Sequence, residues 1–184
     1  ETQRKLLKNF DSIKGRLSSG LNSKEEVEHL SSLVGLIILE TGIRPGRMGN
    51  KVLDGDSEIE TFGAITLKRE HIKFTGGGKA QLKFKGKKGA VNEALVKDSK
   101  VVKALKELVG QAKSKGFKYI FSRSDGSEYN YSHLSNFFSK NFDGIKITDF
   151  RKLKATEEVY NSLRDQRGSF LKKLIKYKDL DPDE

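Results

Sequence analysis

Cysteine and tryptophan are absent from this sequence, and histidine occurs only three times. Without cysteine the chain forms no disulfide and no cysteine-based metal site, which suits a reducing compartment. The histidines, His29, His71 and His133, are scattered and lack the spacing of metal ligands, so we expect no required metal.

Long apolar runs are also missing. The most apolar segment, residues 33–39, is far shorter than a membrane span and lies in a helical pattern. The N-terminus has no basic stretch followed by an apolar leader. We therefore expect a soluble intracellular protein with no membrane partner, or a fragment that starts and stops inside a longer gene product.

Negative charge is the scarcer sign in this chain. The 36 Lys and Arg residues outnumber the 25 Asp and Glu residues, which gives a net charge of +11. Lys and Arg release counterions from phosphates and steer encounters with polyanions, so DNA or RNA is the first partner to consider. The alternative interpretation is an ordinary soluble basic surface.

Apolar residues at helical spacing predict helices at both ends of the chain. We expect helices over residues 3–17, 23–41, 98–116, 132–142, 148–163 and 170–177. Ser23 and Glu26 have the spacing of a capping box, and Asp98 and Thr148 are predicted N-caps.

The middle of the chain predicts a small sheet. Residues 64–67, 71–75, 79–85 and 91–96 alternate apolar with polar side chains, and glycine-rich turns separate the later ones. Residues 54–60 are acidic and are predicted to form a loop. The sequence therefore predicts an α+β fold, mainly α, with a small three-stranded antiparallel sheet. We expect one domain over residues 1–178 and an acidic tail over 179–184.

Three basic residues lie in separate contexts that suit contact with a phosphodiester. They are Arg44 in Thr41-Gly-Ile-Arg-Pro-Gly46, Lys87 in Phe84-Lys-Gly-Lys-Lys-Gly89, and Arg151 in Thr148-Asp-Phe-Arg151. Metal-free cleavage of a DNA strand needs neutralised phosphate oxygens, a proton for the departing 5′ oxygen, and a nucleophile. The planar fork of arginine suits the first task, and the mobile ammonium of lysine suits the second.

Each of the three also has a simpler interpretation. Arg44 follows a buried helix at a rigid turn, but it is equally typical of a surface arginine beside Arg47. Lys87 lies at a predicted hairpin tip, which is also what a solvated turn looks like. Arg151 is predicted in the first turn of a helix, where the dipole disfavours a cation, and this mismatch indicates an external phosphate. Asp149 fits a helix-start residue better than an acid catalyst.

Several ordered motifs resemble the type IB DNA topoisomerases of the poxvirus and bacterial kind, within the tyrosine recombinase superfamily. Gly42-Ile-Arg-Pro-Gly46, followed by Phe62-Gly-Ala-Ile-Thr-Leu67 and His71, is similar to that family's Arg-x-Gly segment, its Gly-x-x-Thr-Leu block and the His that follows. Lys83-Phe-Lys-Gly-Lys87 resembles its catalytic hairpin, and Thr148-Asp-Phe-Arg151 resembles its helix start. The resemblance covers roughly residues 35 to 163.

The resemblance implies a catalytic core that transiently nicks double-stranded DNA through a 3′-phosphotyrosine, without ATP, metal or another cofactor. Arg44 and Arg151 would clamp the cleaved phosphate, and Lys87 would be the general acid. It further implies a monomer associated with DNA in a nucleoid or viral setting in the cytoplasm. The predicted DNA-binding residues are Arg47, Lys68, His71, Lys85, Lys88 and Lys152, with His71 either structural or DNA-contacting.

The sequence departs from the family in two respects. The expected Gly-His-Thr or Gly-Asn-Thr segment and nucleophilic tyrosine are not found after Arg151, where only Tyr160 and Tyr177 occur. The family's N-terminal DNA-clamping domain is also absent. We therefore expect a catalytic core cut from a longer enzyme, or a degenerate relative.

Three other functions are considered. A tyrosine recombinase or integrase shares the fold and residues, and Thr41-Gly-Ile-Arg44 favours it. A non-catalytic DNA-binding module would use the same cations only to grip phosphate. An RNA-binding protein is poorly supported, because Tyr129 and Tyr131, the aromatic pair outside the predicted core, fit a surface loop.

Overall fold

The computed structural model describes residues 5, 6, 8–156 and 162. Its helices are α1 (Phe10–Gly20), α2 (Glu26–Thr41), α3 (Ser99–Lys115), α4 (Tyr131–Asn141) and α5 (147–156). No helix in this described part is long and apolar enough to cross a membrane. The predicted helix over 170–177, the end of the one over 148–163, and the predicted acidic tail lie outside the described residues.

Two small antiparallel sheets lie between α2 and α3. The strands β1 (Lys51–Asp54) and β2 (Ser57–Glu60) form a hairpin. The strands β3 (Ile72–Thr75), β4 (Lys79–Lys85) and β5 (Val91–Val96) form a three-stranded meander in that order. The predicted fold class, α+β and mainly α with a three-stranded antiparallel sheet, is confirmed.

Helix α2 is the centre of the core. Its side chains Leu33, Val34, Ile37 and Ile38 are completely buried, and the helix contacts α1, α3, α4 and β5. A methyl group at Gly35 would lie 3.0 Å from Leu17 and 3.1 Å from Phe138. The glycine therefore lets α1 and α4 approach α2 closely.

An aromatic cluster joins α4 to α5. The Phe138 ring lies 5.2 Å from the Phe150 ring and 5.0 Å from the Phe142 ring, centroid to centroid. Phe138 and Phe150 are both buried, and each buried ring contributes about 2 to 3 kcal/mol to folding. Because Phe150 is the neighbour of Arg151 in the chain, this cluster fixes the part of α5 that carries the arginine.

Helix ends follow the predictions in part. The carboxylate of Asp98 accepts hydrogen bonds from the amides of Lys100 and Val101, as expected of an N-cap. The capping box predicted for Ser23 and Glu26 is wrong. Glu25 is the N-cap instead, and its carboxylate accepts from the amides of Val27 and Glu28.

Three local predictions are corrected by the structure. The acidic segment 54–60, expected to be a loop, contributes the end of β1 and all of β2, and Val52 lies opposite Ile59 in the register of this hairpin. Residues 64–66 form a 3-10 turn rather than a strand. The helix predicted to start at Thr148 begins at Ile147, and α1 continues to Gly20 instead of ending near Leu17.

Candidate active site

The backbone that carries Arg44 is fixed by its neighbours. Helix α2 ends at Gly42, which has a left-handed conformation with φ of 70°. The carbonyl of Arg44 accepts a hydrogen bond from the amide of Ala64 at 2.8 Å, and that of Pro45 accepts from Ile65 at 2.9 Å. The Arg44 side chain itself is exposed, so a turn fixed by backbone hydrogen bonds presents a solvent-accessible cation.

Lys87 lies in the tight turn between β4 and β5. The amide of Gly86 donates to the carbonyl of Ala90 at 2.7 Å and closes the turn. Lys88 has a φ of 62°, a left-handed conformation that costs a non-glycine residue about 1 kcal/mol or more. The turn contacts β1 of the neighbouring hairpin. The exposed side chain of Lys87 is therefore carried by a supported turn.

Arg151 lies on α5 beside the buried Phe150. Its side chain is half-buried, and its Nε is buried without a hydrogen-bond partner among the described residues. Burial, and next the positive charge of Arg44, lower the pKa of the Arg151 guanidinium. The two arginines are therefore close enough to repel each other.

The helix-dipole argument for Arg151 is corrected, because α5 begins at residue 147 and Arg151 is its fifth residue rather than part of the first turn. Asp149 is buried at 6 % exposure. It accepts hydrogen bonds from the amide of Lys146 at 3.0 Å and from Nζ of Lys152 at 3.1 Å. This agrees with the interpretation of Asp149 as a helix-start residue.

The structure brings the three predicted catalytic cations to one cavity. Arg44, Lys87 and Arg151 all line a cavity of about 700 Å³. A second cavity of about 370 Å³ adjoins it and shares Arg44, Phe62 and Lys87. None of the described residues that line either cavity is an aspartate or a glutamate.

The three cations also have no acidic partner among the described residues. Within the described ranges, none of the ion pairs includes Arg44, Lys87 or Arg151. Like charges that face one cavity without an acid destabilise each other, and an external phosphate would relieve that repulsion. The arrangement can bind an anion through two guanidinium groups and place an ammonium beside it.

The other predicted DNA-binding residues divide into two groups. Arg47 and Lys152 line the larger cavity, and Lys88 lines the adjoining one. Lys152 is also paired with Asp149 at 3.1 Å. Lys85 is exposed on β4 and does not belong to the lining of either cavity.

Lys68 and His71 lie behind the cavity wall rather than in it. The Nζ of Lys68 is 4.7 Å from the centroid of the Phe62 ring, and the His71 ring meets Phe62 edge to face at 4.3 Å. The Nδ1 of His71 accepts a hydrogen bond from the amide of Lys68 at 3.0 Å. Both residues therefore contact Phe62, which lines both cavities, while neither of them lines either cavity itself.

Glu60 anchors this supporting layer. Its carboxylate accepts hydrogen bonds from the hydroxyl of Tyr119 at 2.7 Å and from Nζ of Lys68 at 3.0 Å, and it pairs with Lys118 at 3.1 Å. Burial opposes ionisation, but these donors outweigh it and lower the pKa of Glu60 to about 2. The charged form of Glu60 thus stabilises the folded state.

Acid unfolding should report on this carboxylate. Because the pKa of Glu60 falls from 4.5 to about 2 on folding, its contribution is complete above pH 4.5 and is lost as the pH drops toward 2. We expect Glu60→Gln to lower the free energy of unfolding at pH 7 by about 2 kcal/mol and to flatten its decline in that window. Denaturant unfolding between pH 2 and pH 7 measures both effects.

The matched control is Glu58→Gln, which removes a carboxylate that pairs with Lys51 on the exposed hairpin. Its pH profile should follow that of the original protein, because exposed ion pairs contribute little. Equal profiles for the Glu58 and Glu60 variants would contradict the anchoring role of Glu60.

Tyr131 is a site residue that sequence reasoning missed. The interpretation of Tyr129 and Tyr131 as a surface loop is wrong. Tyr129 is completely buried, and its hydroxyl is 2.7 Å from Oγ of Ser31. Tyr131 begins α4, lines the larger cavity and lies under the guanidinium of Arg47 at 5.2 Å. The sequence contained a local signal for a helix start here, because asparagine is a common N-cap residue. The side chain of Asn130 caps α4 by accepting hydrogen bonds from the amides of Ser132 and His133.

Comparison with known proteins gives a family match over nearly the whole chain. Residues 1–180 match the family model described as eukaryotic DNA topoisomerase I, catalytic core. No curated protein sequence matches the chain.

Solved structures with a similar fold include site-specific recombinases. The XerH site-specific recombinase bound to difH substrate, in a pre-cleavage complex, has a TM-score of 0.55 and 16% identity, over 82% of this chain and 41% of that chain. A post-cleavage complex of XerH with a palindromic difH substrate has a TM-score of 0.55 and 17% identity, over 76% and 37%. The chain thus spans less than half of the XerH chain in both complexes, and the likeness concerns the fold.

Proposed function

Because the chain belongs to the family of the eukaryotic DNA topoisomerase I catalytic core, we propose that it binds duplex DNA and activates one phosphodiester in a type IB topoisomerase. The observation that carries this proposal is the cavity lined by Arg44, Lys87 and Arg151. It offers two forked guanidinium groups and one ammonium to an anion. The resemblance of the motifs around Arg44 and Phe62 favours the poxvirus and bacterial kind of enzyme.

Each cation has a separate task in the proposed reaction. Arg44 and Arg151 donate hydrogen bonds to the non-bridging oxygens and stabilise the charge that grows on them. A tyrosine hydroxyl loses its proton to solvent, and its oxygen attacks phosphorus while the bond to the 5′ oxygen breaks. Lys87 gives its proton to that departing oxygen. The 3′-phosphotyrosine is reversed by attack of the same 5′-hydroxyl after the strand has rotated, so neither ATP nor a metal enters the scheme.

The nucleophile is not assigned. Of the described tyrosines, Tyr129 is buried, and the hydroxyl of Tyr119 donates a hydrogen bond to the carboxylate of Glu60. Tyr131 lines the cavity beneath Arg47. Tyr160 and Tyr177 lie outside the described residues.

We propose that the enzyme acts on double-stranded DNA as a monomer, in the cytoplasm and in association with a nucleoid or viral DNA.

A tyrosine recombinase is the second candidate, and the likeness to the XerH fold favours it. The two functions differ in the number of DNA molecules required. A topoisomerase relaxes one supercoiled plasmid without a partner, whereas a recombinase must bring two sites together before exchange. Relaxation of a plasmid that carries no recombination site supports the topoisomerase, and strand exchange without relaxation supports the recombinase.

Salt dependence of DNA binding tests the phosphate contacts. Each contact contributes a slope of about 0.9 in a plot of log affinity against log salt concentration. We expect Arg44→Ala and Arg151→Ala each to reduce the slope by about one unit and to weaken binding to all duplex sequences alike. Fluorescence anisotropy with a labelled duplex between about 50 and 200 mM KCl measures this effect.

Lys103→Ala is the control, because Lys103 is exposed on α3 and lines neither cavity. Its slope should match that of the unmodified chain. If all three variants keep the original slope, the cavity is not a DNA phosphate site.

A further inference from the structure

The central cavity, defined by Arg44, Lys87 and Arg151, continues beyond them. Tyr131, on its wall, also lines a smaller cavity of about 190 Å³ between α4 and the start of α5. The polar side chains of this second space are Ser135, Ser139 and Lys146. Tyr131 is therefore a shared wall between two adjoining spaces.

The small cavity carries two hydroxyl groups and one cation beside the apolar side chains of Phe138, Ile145 and Ile147. Ser135 and Ser139 are four residues apart, so they lie on one face of α4. Both are exposed, and in the described part of the chain their hydroxyls have no hydrogen-bond partner. Lys146 is exposed and forms no ion pair with any described residue. The described lining residues include no aspartate or glutamate.

The wall between the two cavities is held in place. Tyr131 is the first residue of α4, and the side chain of Asn130 accepts hydrogen bonds from the next two amides. The guanidinium of Arg47 lies 5.2 Å from the Tyr131 ring on the side of the central cavity. Stacking on an aromatic ring restricts a long cationic side chain. Arg47 is thus oriented at the boundary between the two spaces.

A bound strand requires more than one phosphate contact. Each DNA strand carries a phosphate about every 3.4 Å along the helix axis, so a strand held in the central cavity has further phosphates just outside it. The small cavity, which shares Tyr131 with the central one, offers one cation and two hydroxyl groups. Phosphate contacts of this kind fix the register of a protein on DNA without reading its sequence.

We propose that the cavity formed by Tyr131, Ser135, Ser139 and Lys146 is a subsite for the backbone phosphate next to the cleaved one. The inference rests on the proposed function of the central cavity. Lys146 supplies the charge, the two serine hydroxyls donate to the phosphate oxygens, and Tyr131 separates the two phosphates. Arg47, held by the Tyr131 ring, contacts the strand between them.

The subsite predicts different signatures for charged and neutral donors. Lys146→Ala should lower the salt slope of duplex binding by about 0.9 and weaken binding about three- to tenfold at 100 mM KCl. The double variant Ser135→Ala/Ser139→Ala should weaken binding to a similar degree with the slope unchanged, because it removes donors without charge. Anisotropy titrations of the full chain with a labelled duplex give both quantities.

Lys140→Ala is the matched control, since Lys140 is an exposed lysine on α4, the helix of Ser135 and Ser139, but lines a different cavity with Glu28. It should leave the slope and the affinity close to those of the unmodified chain. Equal effects of the Lys140 and Lys146 variants would show a diffuse surface charge and overturn the subsite.

Variants of Tyr131 test its proposed role between the two cavities and beneath Arg47. Tyr131→Phe keeps the ring under Arg47 and should bind DNA within about twofold of the original, whereas Tyr131→Ala frees Arg47 and should weaken binding about tenfold. A thermal melt shows whether the alanine variant is folded. Weakening by phenylalanine as large as that by alanine, or a covalent DNA adduct on Tyr131, would overturn this role.

The outcomes separate the subsite from the proposed function. If Arg44→Ala and Arg151→Ala lower the salt slope but Lys146→Ala does not, the subsite is wrong and the central site stands. If none of the three variants lowers the slope, both proposals fail. If Lys146→Ala weakens binding of an acidic peptide but not of duplex DNA, the cavity binds a protein partner and the subsite is again wrong.

Discussion

Replacement of Lys87 by alanine should slow DNA strand cleavage about 100- to 10,000-fold, the usual contribution of a general acid, while duplex binding changes only about threefold. The assay uses an enzyme that contains this chain and supplies the tyrosine. The large loss in rate follows because a 5′ alkoxide is a poor leaving group without a proton. The small loss in affinity follows because Lys87 is one of several cations that line the cavity.

A sulfur substitution at the bridging 5′ position separates proton donation from other roles. A thiolate leaves without protonation, since thiols have a pKa of about 8.5. The Lys87→Ala variant should therefore cleave the sulfur substrate at nearly the original rate. The neighbours Lys85 and Lys88 are the matched controls, and their alanine variants should show no such rescue. If the sulfur substrate rescues the Lys88 variant and not the Lys87 variant, Lys88 is the general acid and our assignment is wrong.

Replacement of Gly63 by alanine should destabilise the protein by about 2 to 3 kcal/mol and lower its melting temperature by about 5 to 10 °C. A methyl group at Gly63 would lie 2.5 Å from the carbonyl oxygen of Arg44 and 2.5 Å from the amide nitrogen of Gly46. Both are backbone atoms that cannot swing aside, so the turn must move. Arg44 would move with it, and the remaining folded protein should bind DNA more weakly.

Gly110→Ala provides the control for this substitution. Gly110 lies within α3, and nothing lies within 4 Å of a methyl group placed there. This variant should be more stable by about 0.5 to 1 kcal/mol, because alanine has the higher helix propensity. Calorimetry and DNA binding on both variants complete the test. A Gly63→Ala protein with original stability and affinity would mean that the Arg44 turn is not rigidly held.

The sequence predicted those parts of the fold that depend on local pattern. The apolar stripe of α2, the cap at Asp98 and the alternation in β4 and β5 each follow from interactions within a few residues. The hairpin of β1 and β2 was missed, because its acidic residues resemble a loop and its apolar contacts are made to the turn at Gly89.

The candidate site could be predicted as residues but not as an arrangement. Motifs singled out Arg44, Lys87 and Arg151, yet their convergence depends on how α2, the β4–β5 turn and α5 are placed by the core. Tyr131 was missed as a site residue because the sequence around it is typical of a surface loop. Phe62 was missed because nothing within a few residues of it shows that its ring lines a cavity. Lys68 and His71 matched the family pattern, but their contact with Phe62 appears only in the folded chain.

The support behind the cavity explains why these residues occur together. Glu60 forms an ion pair with Lys68. The ammonium of Lys68 and the ring of His71 both contact the ring of Phe62. The amide of Phe62 donates to the carbonyl of Lys85 at 2.8 Å, so the same segment also contacts the strand that leads to Lys87. A change in this layer should therefore alter the position of the cations without removing any of them.

The most direct measurement of the central claim is a crystal structure of the chain soaked with tungstate, a tetrahedral oxyanion located by anomalous scattering. Our account predicts one tungstate in the central cavity, with oxygens about 2.7 to 3.2 Å from guanidinium nitrogens of both Arg44 and Arg151, and with the Lys87 ammonium beside it. Tungstate bound at other lysines, with the central cavity empty at the same concentration, would contradict the claim that these three cations converge on one phosphate.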